Sequence, residues 1–252
     1  MCVRQWDSRT IDAAGATGAS GTNRAQRFPQ AMSESASAAS RNSGASAASA
    51  VAHATPGEPS HWVRHWARLV APGGAVLDVA SGAGRHARWF AGHGHPVSAL
   101  DRDAAALAAM RDEPRITTLL ADLEGAPWPL PDDAKFAAVV VTNYLHRPLF
   151  PHLLATLAPG GVLIYETFAH GNQSVGKPSN PAFLLARGEL LDVVRPRLRV
   201  VAFQDGFLAQ PRPAYVQRIC AVLEAEPAFD GTQADRQGDT QGLPPPCYEL
   251  AG

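Results

Sequence analysis

The chain has little cysteine, no long apolar run and no excess of charge of one sign. Its three cysteines, Cys2, Cys220 and Cys247, are odd in number and widely scattered. That pattern offers neither a disulfide framework nor the ligand spacing of a metal site, and it suits a reducing compartment. Lysine and arginine number 22 against 23 aspartates and glutamates, a formal net charge of −1. Such a balance gives no global pull toward nucleic acid or an anionic bilayer. The longest apolar runs, such as Ala137 to Val141, fall far short of the roughly 20 residues a membrane-spanning helix needs. Arg4 is not followed by the apolar core of a secretory signal. A soluble cytoplasmic protein with no membrane attachment is the expectation.

Large apolar residues are also missing from both ends. Residues 9–57 are dominated by Ala, Ser, Gly and Thr, as in SESASAASRNSGASAASA. Such a stretch cannot bury enough surface to offset chain entropy, so residues 1–57 are expected to form a disordered tail. Met32 lies inside this tract as a second candidate start. Residues 226–252 are again polar and rich in Pro and Gly, and a second disordered tail is expected there. One folded domain over 58–225 remains, without internal repeats.

Within that window strands and helices alternate. Ser60 is placed to cap a helix carrying Trp62, Trp66 and Leu69 on one face. Strands are expected at Val76–Ala80, Pro96–Leu100, Ile116–Ala121, Phe136–Thr142, Val162–Thr167, Leu198–Gln204 and Ala214–Leu223. Helices are expected at Arg85–Ala91, from the Asp103 cap to Arg111, at Pro148–Leu157, and in short pieces opened by Pro181 and Gly188. Apolar strands joined by crossover helices make a parallel sheet covered on both faces. The last two strands are linked only by GFLAQPRP, which makes a hairpin. The fold class is therefore α/β: a doubly wound, mostly parallel seven-stranded sheet with an antiparallel last strand.

Such sheets bind ligands at the carboxyl ends of their strands. VLDVASGAGRHA, residues 76–87, puts a Gly82-Ala83-Gly84 turn at the first strand's end. Glycine there lets a ligand approach the backbone closely. Asp101 ends the second strand, nineteen positions after Gly82, where a carboxylate can take both hydroxyls of a ribose. A nicotinamide-dinucleotide domain fits these features too, since GAGRHA satisfies the G-x-G-x-x-A pattern. Asp78 favours another ligand. An anion just upstream of the turn repels a pyrophosphate, whereas it suits a cationic amino group such as that of S-adenosylmethionine (SAM). Asp78 can equally serve by bonding loop amides. Asp122, after the third strand, can accept the exocyclic amine of adenine beside apolar Leu123, or simply cap a turn.

VLDVASGAGRHARWFAGHGHPVSALDRD, with LLADLE and GGVLIYETF, resembles the class I SAM-dependent methyltransferases. The compact layout is most similar to their tellurite-resistance and thiopurine-type small-molecule branch. The resemblance implies that Asp78, Gly82 and Gly84 hold the methionyl end, Asp101 the ribose, and Asp122 with Leu123 the adenine. Ala80 stands where many members carry the first glycine of the motif. The implied reaction is direct methyl displacement from a sulfonium, which needs alignment and water exclusion and, for an acceptor of high pKa, a base.

Acceptor groups are expected at the ends of the fourth and fifth strands. Asn143 and Tyr144 can position an acceptor and His146 can serve as base, or stand as an ordinary surface histidine. Glu166 and His170 can meet the acceptor, Glu166 being equally readable as a satisfied strand-end carboxylate. The segment 169–187, with Gly171, Gly176 and Pro178 and an anchor at Phe183-Leu184-Leu185, reads as a lid. RPRLR at 195–199, with Arg212 and Arg218, makes a modest basic area, so nucleic acid stays possible without being indicated. A small-molecule acceptor is favoured, oligomeric state is open, and the alternatives are an NAD(P)-dependent oxidoreductase and a non-catalytic SAM-binding protein.

Overall fold

The computed structural model describes residues 57–225 together with Cys247 and Tyr248. The tails expected at 1–57 and 226–252 lie outside the described residues, except for Gly57, Cys247 and Tyr248. The Tyr248 ring lies 5.3 Å from the Arg199 guanidinium carbon and packs against the domain core.

Helix α1 (His61–Trp66) opens the domain. Its Ser60 cap accepts from the Trp62 N–H, and Trp62, Val63 and Trp66 are buried. Then follow β1 (Val76–Val79), α2 (Arg85–Gly92), β2 (Val97–Asp101), α3 (Ala104–Ala108), β3 (Ile116–Leu120), β4 (Phe136–Thr142), α4 (Phe150–Ala155), β5 (Leu157–Phe168), α5 (Glu189–Val194), β6 (Arg199–Leu208) and β7 (Ala214–Val222). The Asp103 side chain accepts from the amides of Ala105 and Ala106, which fixes the start of α3. That helix ends at Ala108, short of the Arg111 expected from the sequence.

The seven strands form one sheet in the order β3-β2-β1-β4-β5-β7-β6. β1 through β5 pair in parallel, and β7 is antiparallel to both its neighbours, β5 and β6. The final strand thus inserts between β5 and β6, the hairpin read from the sequence. Alternation along the strands serves two cores. Leu77, Val79, Val139 and Val141 face α4 and α5 residues such as Leu153 and Leu190. Val76, Ala138, Val140 and Ile164 face Trp62, Phe90 and Leu107 of α1, α2 and α3. Both faces are covered, so β1 reads as a continuous buried run with Asp78 inside it.

Candidate functional site

The carboxyl ends of β1, β2, β3 and β4 converge on a sharp backbone turn. Ala80, Gly82 and Gly84 all have left-handed φ angles, 54°, 53° and 78°. A Cβ on Gly84 would lie 1.8 Å from the Met110 sulfur, so close packing of the turn excludes a side chain there. Gly82 faces open space, and its N–H donates to Asp101 Oδ2 at 2.7 Å. The Asp103 N–H donates to the other oxygen, Oδ1, at 2.9 Å. Two amides therefore fix the Asp101 carboxylate at the end of β2, and each oxygen keeps a second acceptor position. Ala80 holds its left-handed conformation with a methyl group present, a strain of order 1–2 kcal/mol.

Asp101 lines a cavity of about 190 Å³ together with Ala80, Ala121, Asp122, Leu123 and Tyr144. The Asp122 carboxyl sits below the usual range because the Glu124 and Gly125 amides bond it; it also closes the turn after β3, Oδ1 accepting from Glu124 at 3.1 Å. Burial, together with Glu124 beside it, pushes the Tyr144 phenol up to about 12, so it stays neutral.

A second cavity of about 300 Å³ shares Ala80 and Tyr144 with the first and adds Ser81, Gly82, Arg85 and Asn143. Asp78 is 1% exposed and does not line it. Burial pushes the Asp78 carboxyl up to about 7, against the opposing pull of an Ala87 amide bond and of Arg85. Its Oδ2 and the Ser81 hydroxyl have no hydrogen-bond partner. An orphaned buried oxygen calls for a partner that the protein's own groups do not supply.

A third cavity of about 760 Å³ shares Arg85 and Asn143 with the second. One wall is the strap Glu58–His61 before and at the start of α1; the other comprises Glu166, Phe168, the 208–214 turn and β7. A partly buried polar chain ties these walls together. The Ser60 hydroxyl donates to Glu166 Oε1 at 2.9 Å, and Arg218 Nη1 donates to Glu166 Oε2 at 3.2 Å. Arg218 Nε donates to Gln204 at 2.7 Å, and its guanidinium lies 4.9 Å over the Trp62 ring. The Ser60 N–H donates to His86 Nε2 at 3.0 Å. The His86 proton is therefore on Nδ1, 3.3 Å from the Thr142 hydroxyl. Burial pushes this imidazole down to about 3, so it is neutral.

The residues singled out from the sequence are thus divided among the cavities. Asp101, Asp122, Leu123, Tyr144 and Ala80 meet at the first; Ala80, Gly82, Asn143 and Tyr144 at the second; Asn143 and Glu166 at the third. Asn143 has a left-handed φ of 55°, and its N–H donates to the Glu166 carbonyl at 2.9 Å. Gly84 shapes the turn without lining a cavity. His146 lines none of the three, and it lies near enough to Asp122 to help lower that carboxyl. His170 is exposed and also lines none.

The 169–187 segment, expected as a lid, is tied down beside β7. Asn172 is 1% exposed; its Nδ2 donates to the Pro178 carbonyl at 3.0 Å and its Oδ1 accepts from the Tyr215 N–H at 3.2 Å. Leu184 and Leu185 are buried while Phe183 is half exposed. Arg147 clamps the segment, donating to Glu189 at 2.6 Å and to the carbonyls of Ala182 and Leu184 at 2.9 Å each. None of its residues lines the three cavities. Sequence reasoning missed Arg85, Arg212, Ser60 and His86 as site residues. Arg85 alone carried a usable signal, being a cation directly after the glycine turn. The 195–199 basic run is largely paired, Arg195 with Asp192 and Arg199 with Glu224. Among the described residues no helix is long and apolar enough to cross a membrane, and no group of three ligand-type side chains gathers as a metal site.

Residues 76–161 match a family model described as a methyltransferase domain. A demethylmenaquinone methyltransferase from Renibacterium salmoninarum is 33% identical over 119 residues, 42% of this chain and 49% of that protein. The chain therefore matches about half the length of this curated relative. Among solved structures, TehB from Haemophilus influenzae superposes with a TM-score of 0.53 at 19% identity, over 64% of this chain and 61% of that one. A SAM-dependent methyltransferase from Methanosarcina mazei superposes with a TM-score of 0.52 at 14% identity, over 67% of this chain and all of that one.

Proposed function

We propose that this chain, whose fold is that of the class I SAM-dependent methyltransferases, transfers the methyl group of SAM to a small-molecule acceptor. The observation that carries this reading is the Asp101 carboxylate, fixed by the Gly82 amide in the first cavity, which adjoins the second through Ala80 and Tyr144. The sheet order supports it against a dinucleotide oxidoreductase, whose usual order 3-2-1-4-5-6 lacks a reversed strand inserted beside the fifth.

The side chains present fit SAM. Asp101 offers two free acceptor positions for ribose hydroxyls. Ala121 and Leu123 form an apolar wall for adenine, with Asp122 beside its amine. In the second cavity Arg85 suits the methionyl carboxylate, and the orphan oxygen of Asp78 supplies negative charge behind the floor for the ammonium. SAM, when bound, supplies an activated methyl group on a sulfonium. The chain's own part is alignment. Asn143, at the junction of the second and third cavities, stands where donor and acceptor sides meet, and Tyr144 walls the donor side as a neutral phenol. Glu166 holds the acceptor wall through Ser60 and Arg218, a positioning role. A cavity of about 760 Å³ suits a small acceptor. The unpaired thiols Cys220 and Cys247 support a cytoplasmic location.

The test is methyl-labelled SAM incubated with the protein and a fractionated cell extract. Label should pass to a low-molecular-weight fraction, and the Asp101→Ala protein should transfer far less at limiting SAM. SAM binding without transfer to any fraction would instead favour a non-catalytic SAM-binding protein.

A further inference from the structure

We infer that the acceptor is an anionic small molecule with an apolar body, its charge held by Arg212 and its body laid on Phe168, Leu208 and Val216. This deepens the methyltransferase reading and rests on it.

The inference begins with the charges that face the third cavity: Glu58, His61, Arg85, Glu166, Arg212 and Arg218. Both oxygens of Glu166 are engaged, one by the Ser60 hydroxyl and one by Arg218. That pair cancels within the wall. The Glu58 side chain is 91% exposed and its nearest cation is Arg64, at 4.0 Å. Arg85 leans on the Glu58 carbonyl at 3.4 Å and also borders the second cavity, where it would hold the SAM carboxylate. Arg212 is left. It makes no ion pair among the described residues, and its guanidinium carbon lies 5.4 Å from the Phe168 ring centroid. A guanidinium held over an aromatic ring donates no hydrogen bond to the ring's neighbours and keeps its N–H groups for a carboxylate or similar oxyanion.

The surface beneath is apolar. Phe168 and Val216 are buried at 6% and 8% exposure, Ala214 at 6%, and Leu208 packs against them. A fully polar anion would leave this floor wet, and a neutral hydrophobe would leave the exposed Arg212 guanidinium to water. A molecule with both parts matches the cavity. The positions of these groups also explain the reversed strand: Leu208 ends β6, Arg212 sits in the turn, and Val216 and Arg218 lie on β7. The hairpin builds the acceptor side of the site.

The test uses the full chain saturated with S-adenosylhomocysteine and titrated, by NMR, with 3-phenylpropanoate, 3-phenylpropanamide and 3-phenylpropylamine. The carboxylate should bind at least about tenfold tighter than the amide, as a charge-assisted hydrogen bond implies, with the amine weakest. Arg212→Gln should bring the carboxylate down to the amide's level. S-adenosylhomocysteine affinity should stay within about twofold in that variant, because Arg212 does not line either donor cavity. Equal binding of carboxylate and amide, preference for the amine, no carboxylate binding, or a preference that survives Arg212→Gln would each overturn the inference. Intact S-adenosylhomocysteine binding alongside any of these outcomes would leave the methyltransferase reading standing. Failure of S-adenosylhomocysteine to bind at all would contradict both.

Discussion

Asp78 is a buried acid that the ligand-free fold holds at some expense. Its carboxyl rises from an ordinary value of 3.8 to about 7, chiefly through burial. Below pH 4 the group is protonated in both folded and unfolded chains. As pH rises from 4 to 7 the unfolded chain releases the proton while the folded one retains it, so stability falls through that window. Above pH 7 the full penalty is present, up to about 4 kcal/mol at roughly 1.4 kcal/mol per pK unit. An Asp78→Asn protein should therefore gain several degrees in melting temperature at pH 8 relative to wild type, and little at pH 4, when both are melted without ligand. The same variant should bind SAM more weakly, since the charge that suits the ammonium is gone. An equal change in melting temperature at both pH values would contradict the assigned burial of the charge. Asp78 was legible in the sequence as an acid out of place in an apolar strand. Its raised pKa was not, because that depends on the packing of α2 over β1.

Among the elements, the 169–187 segment shows where pattern reading failed. Its glycines and length suggested a mobile cover, yet much of its restraint comes from partners distant in sequence: Arg147 before α4 and Tyr215 on β7. No local signal reveals such clamps. The strap before α1 failed in the opposite sense. Ser60 was recognised as a helix cap, and the structure makes it also the link between His86 and Glu166. The distinction has a measurable consequence. Arg147→Ala removes a bidentate ion pair and two carbonyl bonds, so it should lower stability by about 1–3 kcal/mol. It should also speed amide hydrogen exchange at Leu184 and Leu185, while SAM affinity stays within about threefold. Thermal melting, exchange mass spectrometry and a SAM titration check this together. A large loss of SAM affinity without loss of stability would show that the segment reaches the donor cavities after all.

The whole molecule divides its labour along the sheet. β1 to β4 and the turns after them line the first two cavities, and β5, β7 and the 208–214 turn line the third, with Asn143 and Arg85 shared; in the proposed reading these are the donor and acceptor sides. The residues around the first two cavities were legible because most of them sit in a short contiguous stretch, with acid, glycines and second-strand acid at fixed intervals. Around the third, Asn143 and Glu166 were read as acceptor residues, whereas Ser60 was read only as a cap and Arg212 and Arg218 only as a surface basic area, because these groups come together only when the reversed strand inserts between β5 and β6. The strands were readable from their apolar runs and the final hairpin from the short linker GFLAQPRP, whereas the length of β5 depended on pairing with both β4 and β7. Calorimetric titration of the full chain with SAM and, separately, with NADH decides whether the Asp101 cavity and its neighbour hold SAM. Saturable one-to-one binding of SAM is expected, none of NADH, and a loss of about 1–3 kcal/mol of SAM binding energy in Asp101→Ala, roughly 5- to 150-fold in Kd. Binding of NADH in place of SAM, or SAM affinity unchanged in Asp101→Ala, would contradict that assignment.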